Sequence, residues 1–333
     1  MYYLLGISLA LTLLLILNLI GSATASLIWM TVKGRAVHLS SRKRERVLFA
    51  LRALPLCAAT LIVLVFVLPG FLLHEPYATK ELVTAQFALI ALLSLAGIVI
   101  AASRLVRTWL DTRRLTSRWM ASAEQIDIDQ VSIPVYRIEH PFPVIAVVGM
   151  FRPRMFVAMQ IFDSLSDDEF RSAIAHEYGH LVSRDNFKRA FLKICRDMVI
   201  FPIGREIDRA WDESREAAAD EYAVEVGGNG MALDLASTLI KIARIVPENG
   251  SPLMPLGSFV VESTEGDVNS RVRRLVEISD TTSHAKNRTS RHIPKYLWVL
   301  PCVAVFAGVL LASEIDMLRT VHGISETLVH LLQ

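Results

Sequence analysis

"AIAHEYGHLVSRDN", residues 173–186, places two histidines four positions apart around a glutamate in an otherwise apolar run. On a helix, His176 and His180 lie on the same face, so that both imidazoles can reach one metal ion at roughly 2 Å. Glu177 lies beside that metal position, where a carboxylate can hold and deprotonate a water molecule. This HExxH spacing is typical of zinc proteases. Because chance alone would produce it in about one or two such sequences per hundred, a third ligand is needed to decide.

Three helices are predicted around this stretch. The letters SDDE at 166–169 have the form of a capping box, in which Ser166 and Glu169 each bond to the other's backbone N–H, and the helix is expected to run to about residue 184. A second helix is expected from residue 186 to about residue 200, where a proline soon interrupts it. A third is expected over about 204–226, before GGNG stops it.

The third helix carries the candidates for a further metal ligand. It reads GREIDRAWDESREAAADEYAV over 204–224, with Glu216 and Asp220 four positions apart and three alanines between them. Small residues allow close packing against the histidine helix. We therefore expect Glu216 to be the third ligand and Asp220 to accept a hydrogen bond from the N–H of a ligand histidine. The other acids of this helix are interpreted as a solvated charged face: Glu206, Asp208, Asp212 and Glu213.

Two short apolar runs precede the histidine helix, at 144–148 and 155–159. They are rich in branched residues and are separated by glycine and proline, which predicts a hairpin or a small sheet. An extended substrate could pair with an edge strand near 144–148. Packing of the same valines in the core explains them equally well.

The composition is too apolar for an ordinary soluble enzyme, with 53% hydrophobic residues, 20% charged residues and a mean hydropathy of +0.41. Four apolar runs are predicted to span a membrane: 3–32, 47–73, 82–103 and 296–313. A cleaved signal peptide is the alternative for the first run, but that run is too long and lacks a basic start. The net charge of +2 gives no reason to expect direct nucleic-acid binding.

The charges between the apolar runs predict the orientation. The loop 33–46 is densely basic, whereas HEPYATKE at 74–81 has more acidic than basic groups. By the positive-inside rule the first loop is cytoplasmic and the amino terminus lies outside the inner (cytoplasmic) membrane. We therefore divide the chain into three spans with the basic loop (1–107), a cytoplasmic domain (108–295), a fourth span (296–313) and a short extracytoplasmic tail (314–333).

The chain resembles the BlaR/MecR group of integral-membrane antirepressor metallopeptidases, metallopeptidase family fifty-six. The likeness lies in three motifs that follow one another: HEYGH, RDN and SREAAADEYAV. The same letters resemble the related HtpX and CAAX-prenyl protease group. VVGMFRPRMFVAMQIF and VNSRVRRLVE add to the likeness, which is specific over about 143–224 and 269–276. Three spans before the domain and one after it favour the first group. Its drug-sensing members carry an extracellular penicillin-binding domain after the last span, and without one we expect no beta-lactam sensing.

The resemblance implies a fold class: a multi-pass α-helical membrane protein with an inserted, mainly α (α+β), cytoplasmic gluzincin-like zinc protease domain. It implies Zn2+ held by His176, His180 and Glu216, with Glu177 as general base. The resemblance also suggests a supporting role for Asp185. Candidates for a second donor to the oxyanion, besides the metal, are Tyr222 and Arg271.

The favoured function is a membrane zinc endopeptidase that cleaves a cytoplasmic regulatory protein, such as a repressor, in signal transduction. An HtpX-like quality-control protease acting on membrane proteins is the alternative within the same class. A non-catalytic transducer that uses zinc only to hold its fold is a third reading, against which the presence of Glu177 argues, because a structural site needs no general base. The expected partners are a protein substrate and the lipid bilayer, and the oligomeric state is left open.

Overall fold

The computed structural model describes residues 2–75, 84–128, 131–199, 201–245 and 265–282, together with positions 320, 323, 324 and 327. The predicted fourth span at 296–313 lies outside the described residues. Apart from those single positions, so does the predicted tail.

Three long apolar helices begin the chain. They are α1 (Tyr2–Ala36), α2 (Ser41–Ile62), which continues through a π-helical turn (Val63–Val67) into α3 (Leu68–His74), and α4 (Ala85–Met120). The π turn directly precedes Pro69, whose ring would clash with a carbonyl one turn earlier in a regular helix. Each of α1, α2 with α3, and α4 is long and apolar enough to cross a membrane. These helices cover the first two predicted spans and the described part of the third from residue 85 onward.

Helix α4 connects the apolar region directly to the folded domain. It continues without a break from its apolar half through the basic segment after Ser103. At its end Trp119 is buried and packs against Phe156 of the domain core, with ring centroids 5.0 Å apart. The third predicted span and the domain therefore share one rigid element.

A four-stranded sheet follows, built from β1 (Glu124–Ile126), β2 (Val135–Ile138), β3 (Ile145–Val148) and β4 (Arg154–Ala158) in the order β1-β2-β4-β3. The predicted hairpin is confirmed, because β3 pairs antiparallel with β4. Its turn includes Gly149 with φ +106°, a conformation that favours glycine. Strands β1 and β2 were not predicted, and β2 pairs parallel with β4. Strand β3 is an edge strand.

Among the described residues, the rest of the domain consists of six helices: α5 (Met159–Ser164), α6 (Asp167–Val182), α7 (Asp185–Asp197), α8 (Arg205–Gly227), α9 (Asn229–Ile245) and α10 (Glu265–Thr282). The three predicted helices correspond to α6, α7 and α8. The domain core contains buried side chains from the sheet, α9 and α10, among them Phe156, Leu235, Leu239 and Leu275. Helix α6 packs between the sheet and α8, and this packing places residues of the HEYGH motif in the interior of the domain.

Helix α2 packs along α8, and ion pairs join the two. Arg52 Nε lies 2.9 Å from Asp208 Oδ1, and Arg44 Nη2 lies 3.8 Å from Glu213 Oε2. The expectation of a solvated face is therefore wrong for Asp208, which pairs with a buried arginine, whereas 47% of the Glu213 side chain is exposed, as expected. Their partners lie more than 150 positions earlier in the chain, so the local pattern of α8 could not reveal them.

Candidate metal centre

Helix α6 positions three residues of the HEYGH motif. Its start is fixed by the predicted capping box, in which Ser166 N donates to Glu169 Oε2 at 2.8 Å and Glu169 N donates to Ser166 Oγ at 3.4 Å. From this start, His176, Glu177 and His180 all lie on the buried side of the helix. At most 2% of any of the three is exposed.

Helix α8 supplies the carboxylates and approaches α6 closely. A Cβ placed on Gly179 would lie only 3.2 Å from Ala219 Cα and 3.2 Å from Tyr222 Cβ. The expectation that the alanines allow close packing of α8 on the histidine helix is confirmed. This approach brings Glu216 next to both histidines.

The geometry of the three donors fits one tetrahedral metal ion. Nε2 of His176 lies 3.2 Å from Nε2 of His180 and 3.5 Å from Glu216 Oε2. Nε2 of His180 lies 3.7 Å from Glu216 Oε1. Donors bonded at about 2.0–2.1 Å to a tetrahedral ion stand about 3.3 Å apart, close to these separations. The described residues therefore include a ready ligand set of two imidazoles and one carboxylate.

Each histidine turns its other ring nitrogen toward a carboxylate. His176 Nδ1 lies 2.9 Å from Asp220 Oδ1, and His180 Nδ1 lies 2.6 Å from Asp185 Oδ2. The contact of His180 is a hydrogen bond, which fixes the tautomer of the ring and leaves Nε2 free to bind metal. His176 Nδ1 lies close to Asp220 without the geometry of a hydrogen bond. The structure thus places Asp220 next to His176 and Asp185 next to His180.

Arg271 of α10 closes the centre from the opposite side. Its Nη2 and Nε bind the two oxygens of Asp220 at 2.7 and 3.1 Å, and its Nη1 lies 3.1 Å from Glu216 Oε2. Arg274 adds a contact of 3.0 Å to Asp220. In this structure Arg271 therefore orients the carboxylates of α8. The ring of Tyr222, the other candidate donor, lies between Tyr178 and the guanidinium of Arg42.

The electrostatics keep the carboxylates of Glu216 and Asp220 ionised. Burial works against the charged form of Glu216, but Arg215 and Arg271 outweigh it and hold the pKa of Glu216 well below its usual range. Burial also opposes ionisation of Asp220, and Arg271 with His176 lowers its pKa despite this. Metal ligation by Glu216 requires its deprotonated form.

Glu177 has a different environment. Burial raises its pKa to about 7, an effect that the neighbouring histidines only partly offset. Both of its carboxylate oxygens are buried without a hydrogen-bond partner among the described residues. A buried carboxylate that is titrated near neutral pH and has free lone pairs is suited to accept a proton in catalysis.

Sequence reasoning missed several residues of this centre. Arg215 is 4% exposed, binds Glu216 Oε1 at 2.7 Å and lies over the ring of Trp211. In the sequence, the only local indication of this role is that Arg215 directly precedes Glu216 in SREAAAD. Lys188 and Glu45, which extend the contacts of Asp185, are separated by 143 positions in sequence and gave no local signal.

Residues 110–209 match Peptidase family M48. The matched segment contains the HEYGH motif and ends just before Glu216. No curated protein matches the chain. The match covers less than a third of the chain. Together with the three side chains placed to bind a metal, it indicates a metallopeptidase and does not show the specificity of the BlaR/MecR group.

Proposed function

We propose that the protein is a zinc endopeptidase, with His176, His180 and Glu216 as ligands and Glu177 as general base. The observation that carries the proposal is the set of three donor atoms within 4.8 Å of one another beside a buried glutamate with no hydrogen-bond partner. Two imidazoles and a carboxylate are the ligand set of catalytic zinc in several metallopeptidases. The unused carboxylate of Glu177 favours catalysis over a structural role for the metal.

Zinc held at this centre would activate the attacking water and polarise the scissile carbonyl. The carboxylate of Glu177 accepts one proton from that water as its oxygen bonds to the carbonyl carbon. When the C–N bond breaks, Glu177 returns the proton to the departing amide nitrogen. Arg271 and Tyr222 remain the candidates for the second contact to the negatively charged oxygen, with Arg271 the nearer to the ligands.

The edge strand β3 is the proposed docking site for an extended substrate. It packs against α6. Asn186 at the start of α7 holds the end of β3, because Asn186 Nδ2 donates to the carbonyl oxygens of Val147 at 3.0 Å and Gly149 at 3.2 Å. A peptide added along β3 would therefore run beside the HEYGH helix. The side chains of β3 are buried in the core, so recognition there would rest on the substrate backbone.

The proposed substrate is a cytoplasmic regulatory protein, cleaved when a signal reaches the domain through the spans. The direct continuation of α4 into the domain and the packing of α2 on α8 support such a route. An HtpX-like role in clearing membrane proteins is the second candidate, which the match to Peptidase family M48 supports equally well. In both cases the amino terminus is outside the inner membrane and the domain is cytoplasmic, as the basic loop 33–46 indicates.

New protein amino termini, compared between cells making the native chain and cells making Glu177→Gln, test this proposal. The substitution keeps the ligands and removes the base. Soluble-protein fragments found only with the native chain would support the regulatory substrate, whereas membrane-protein fragments would support quality control. Identical sets of termini under inducing conditions would contradict the endopeptidase proposal.

A further inference from the structure

Glu45 is the single acidic residue of the basic segment 33–46, and it is buried. It lies in the first part of α2, and only 2% of it is exposed. A buried carboxylate costs several kcal/mol unless other groups compensate its charge. Neighbouring groups must therefore compensate the charge of Glu45.

Two side chains from different helices bind the same oxygen of Glu45. Lys188 Nζ of α7 donates to Oε1 at 2.9 Å, and Trp211 Nε1 of α8 donates to it at 3.0 Å. One carboxylate thus joins α2 to the two helices that flank the metal centre.

From Lys188 the contacts continue to a metal ligand. Its Nζ lies 3.8 Å from Asp185 Oδ1, and the other oxygen of Asp185 lies 2.6 Å from His180 Nδ1. All four side chains are at most 13% exposed, so water screens these contacts little. Charges alternate along the series from Glu45 to Lys188 to Asp185.

We propose that Glu45 is a positioning residue for the ligand His180, acting through Lys188 and Asp185. This inference rests on the proposed zinc site. The ammonium of Lys188 is shared between two carboxylates, and Glu45 keeps it away from full contact with Asp185. When Glu45 is withdrawn or neutralised, Lys188 moves onto Asp185 and competes with the N–H of His180 for that carboxylate.

The consequence is a link between a predicted span and the metal. Glu45 belongs to the same continuous helix as the apolar run 47–73, so an axial shift or rotation of α2 displaces its carboxylate. The shift would weaken the hydrogen bond between Asp185 and His180, and the affinity of the site for zinc would fall as a result. Supporting groups of this kind typically change metal affinity by about 10- to 100-fold when they contact the ligand directly.

The test measures the zinc dissociation constant of the full chain in detergent by competition with a chromophoric chelator. We expect Glu45→Gln to raise this constant by about 3- to 10-fold, less than a direct partner would because Glu45 is two contacts further out. Arg44→Gln is the matched control: it neutralises the neighbouring residue, which pairs with Glu213 on the same α2–α8 interface, and should leave the constant within about 2-fold.

A second variant and the double variant isolate the pathway. Lys188→Met removes the ammonium that would otherwise move onto Asp185, so this variant alone should not raise the constant as Glu45→Gln does. In the double variant the effect of Glu45→Gln should largely disappear, because neighbours in one network are not additive. Thermal unfolding of the metal-free proteins is recorded alongside, so that loss of folding is recognised.

The outcomes separate the two proposals. Unchanged zinc affinity in Glu45→Gln, with reduced stability of the metal-free form, would make Glu45 a packing contact and overturn the inference. Independent effects that add in the double variant would overturn it as well. A native chain that binds no zinc would instead refute the proposed metal site itself.

Discussion

Gly179 sets the distance between the helix of the histidines and the helix of Glu216. A Cβ at this position would come within 3.2 Å of Ala219 and Tyr222, which is closer than ordinary van der Waals contact. Any larger side chain must therefore push α8 away. Because Glu216 is on α8, separation of the helices also removes the third ligand from the histidines.

Gly179→Val is expected to lower the free energy of unfolding by about 1–3 kcal/mol through overpacking, and to weaken zinc binding. Gly230→Val provides the control, since a Cβ at Gly230 meets nothing within 4 Å. Chemical unfolding and chelator competition on both variants check the prediction. Equal behaviour of the two variants would mean that the close approach of α6 and α8 is unimportant.

At the scale of elements, Glu169 ties the start of α6 to α9. Its Oε1 accepts a hydrogen bond from Ser237 at 2.6 Å, and its Oε2 lies 2.7 Å from Lys241 Nζ. Burial opposes the ionisation of Glu169. The contacts with Lys241 and Ser237, together with the hydrogen bond from the Ser166 N–H, outweigh burial and lower the pKa of Glu169 to about 2 from the ordinary 4.5.

A lowered carboxyl pKa stabilises the fold fully above the ordinary value, and the stabilisation is lost as the pH falls toward 2. We expect Glu169→Gln to cost about 2 kcal/mol at neutral pH, with the difference from the native chain shrinking between pH 4.5 and 2. Asp168→Asn, at an exposed ion pair, should show little effect. A pH-independent cost at Glu169 would contradict the assignment.

The contact between α2 and α8 rests in part on Arg52 and Asp208. Arg52 is 2% exposed, so removal of its partner leaves a buried charge without compensation. Asp208→Asn should lower the free energy of unfolding by about 2–3 kcal/mol, at the lower end for buried pairs because Asp208 is partly exposed. Arg209→Gln, at an exposed pair within α8, should cost less than about 0.5 kcal/mol. Similar losses in both variants would argue against a specific α2–α8 pair.

The elements differ in how far the sequence alone predicted them. Helices α6, α7 and α8 and the β3–β4 hairpin were predicted because capping letters, glycine, proline and apolar periodicity are local signals. Spacing on α6 and α8 likewise indicated the ligand triad. The contacts of Asp208, Glu45 and Arg215 depend on which helices meet, and that information is not local. Strand β2 was missed because its four residues carry no clear alternation.

At the scale of the whole molecule, the predicted topology can be tested by cysteine labelling. In a chain whose native cysteines are replaced by serine, Thr327→Cys, in the tail expected to be extracytoplasmic, should react with a membrane-impermeant maleimide from outside intact cells. Ser40→Cys and Arg171→Cys should react only after the membrane is opened, because the basic loop and the domain are expected to be cytoplasmic. All three positions are exposed, so the side of the membrane decides their reactivity. Outside labelling of Ser40→Cys would reverse the orientation.

The central claim is that one zinc ion is held between α6 and α8 by His176, His180 and Glu216. Elemental analysis of the purified full chain tests it most directly. We expect about one zinc per native chain and per Glu177→Gln chain, and a strongly reduced content in Glu216→Ala. A native chain without zinc, or a Glu216→Ala chain that keeps its full content, would contradict the account.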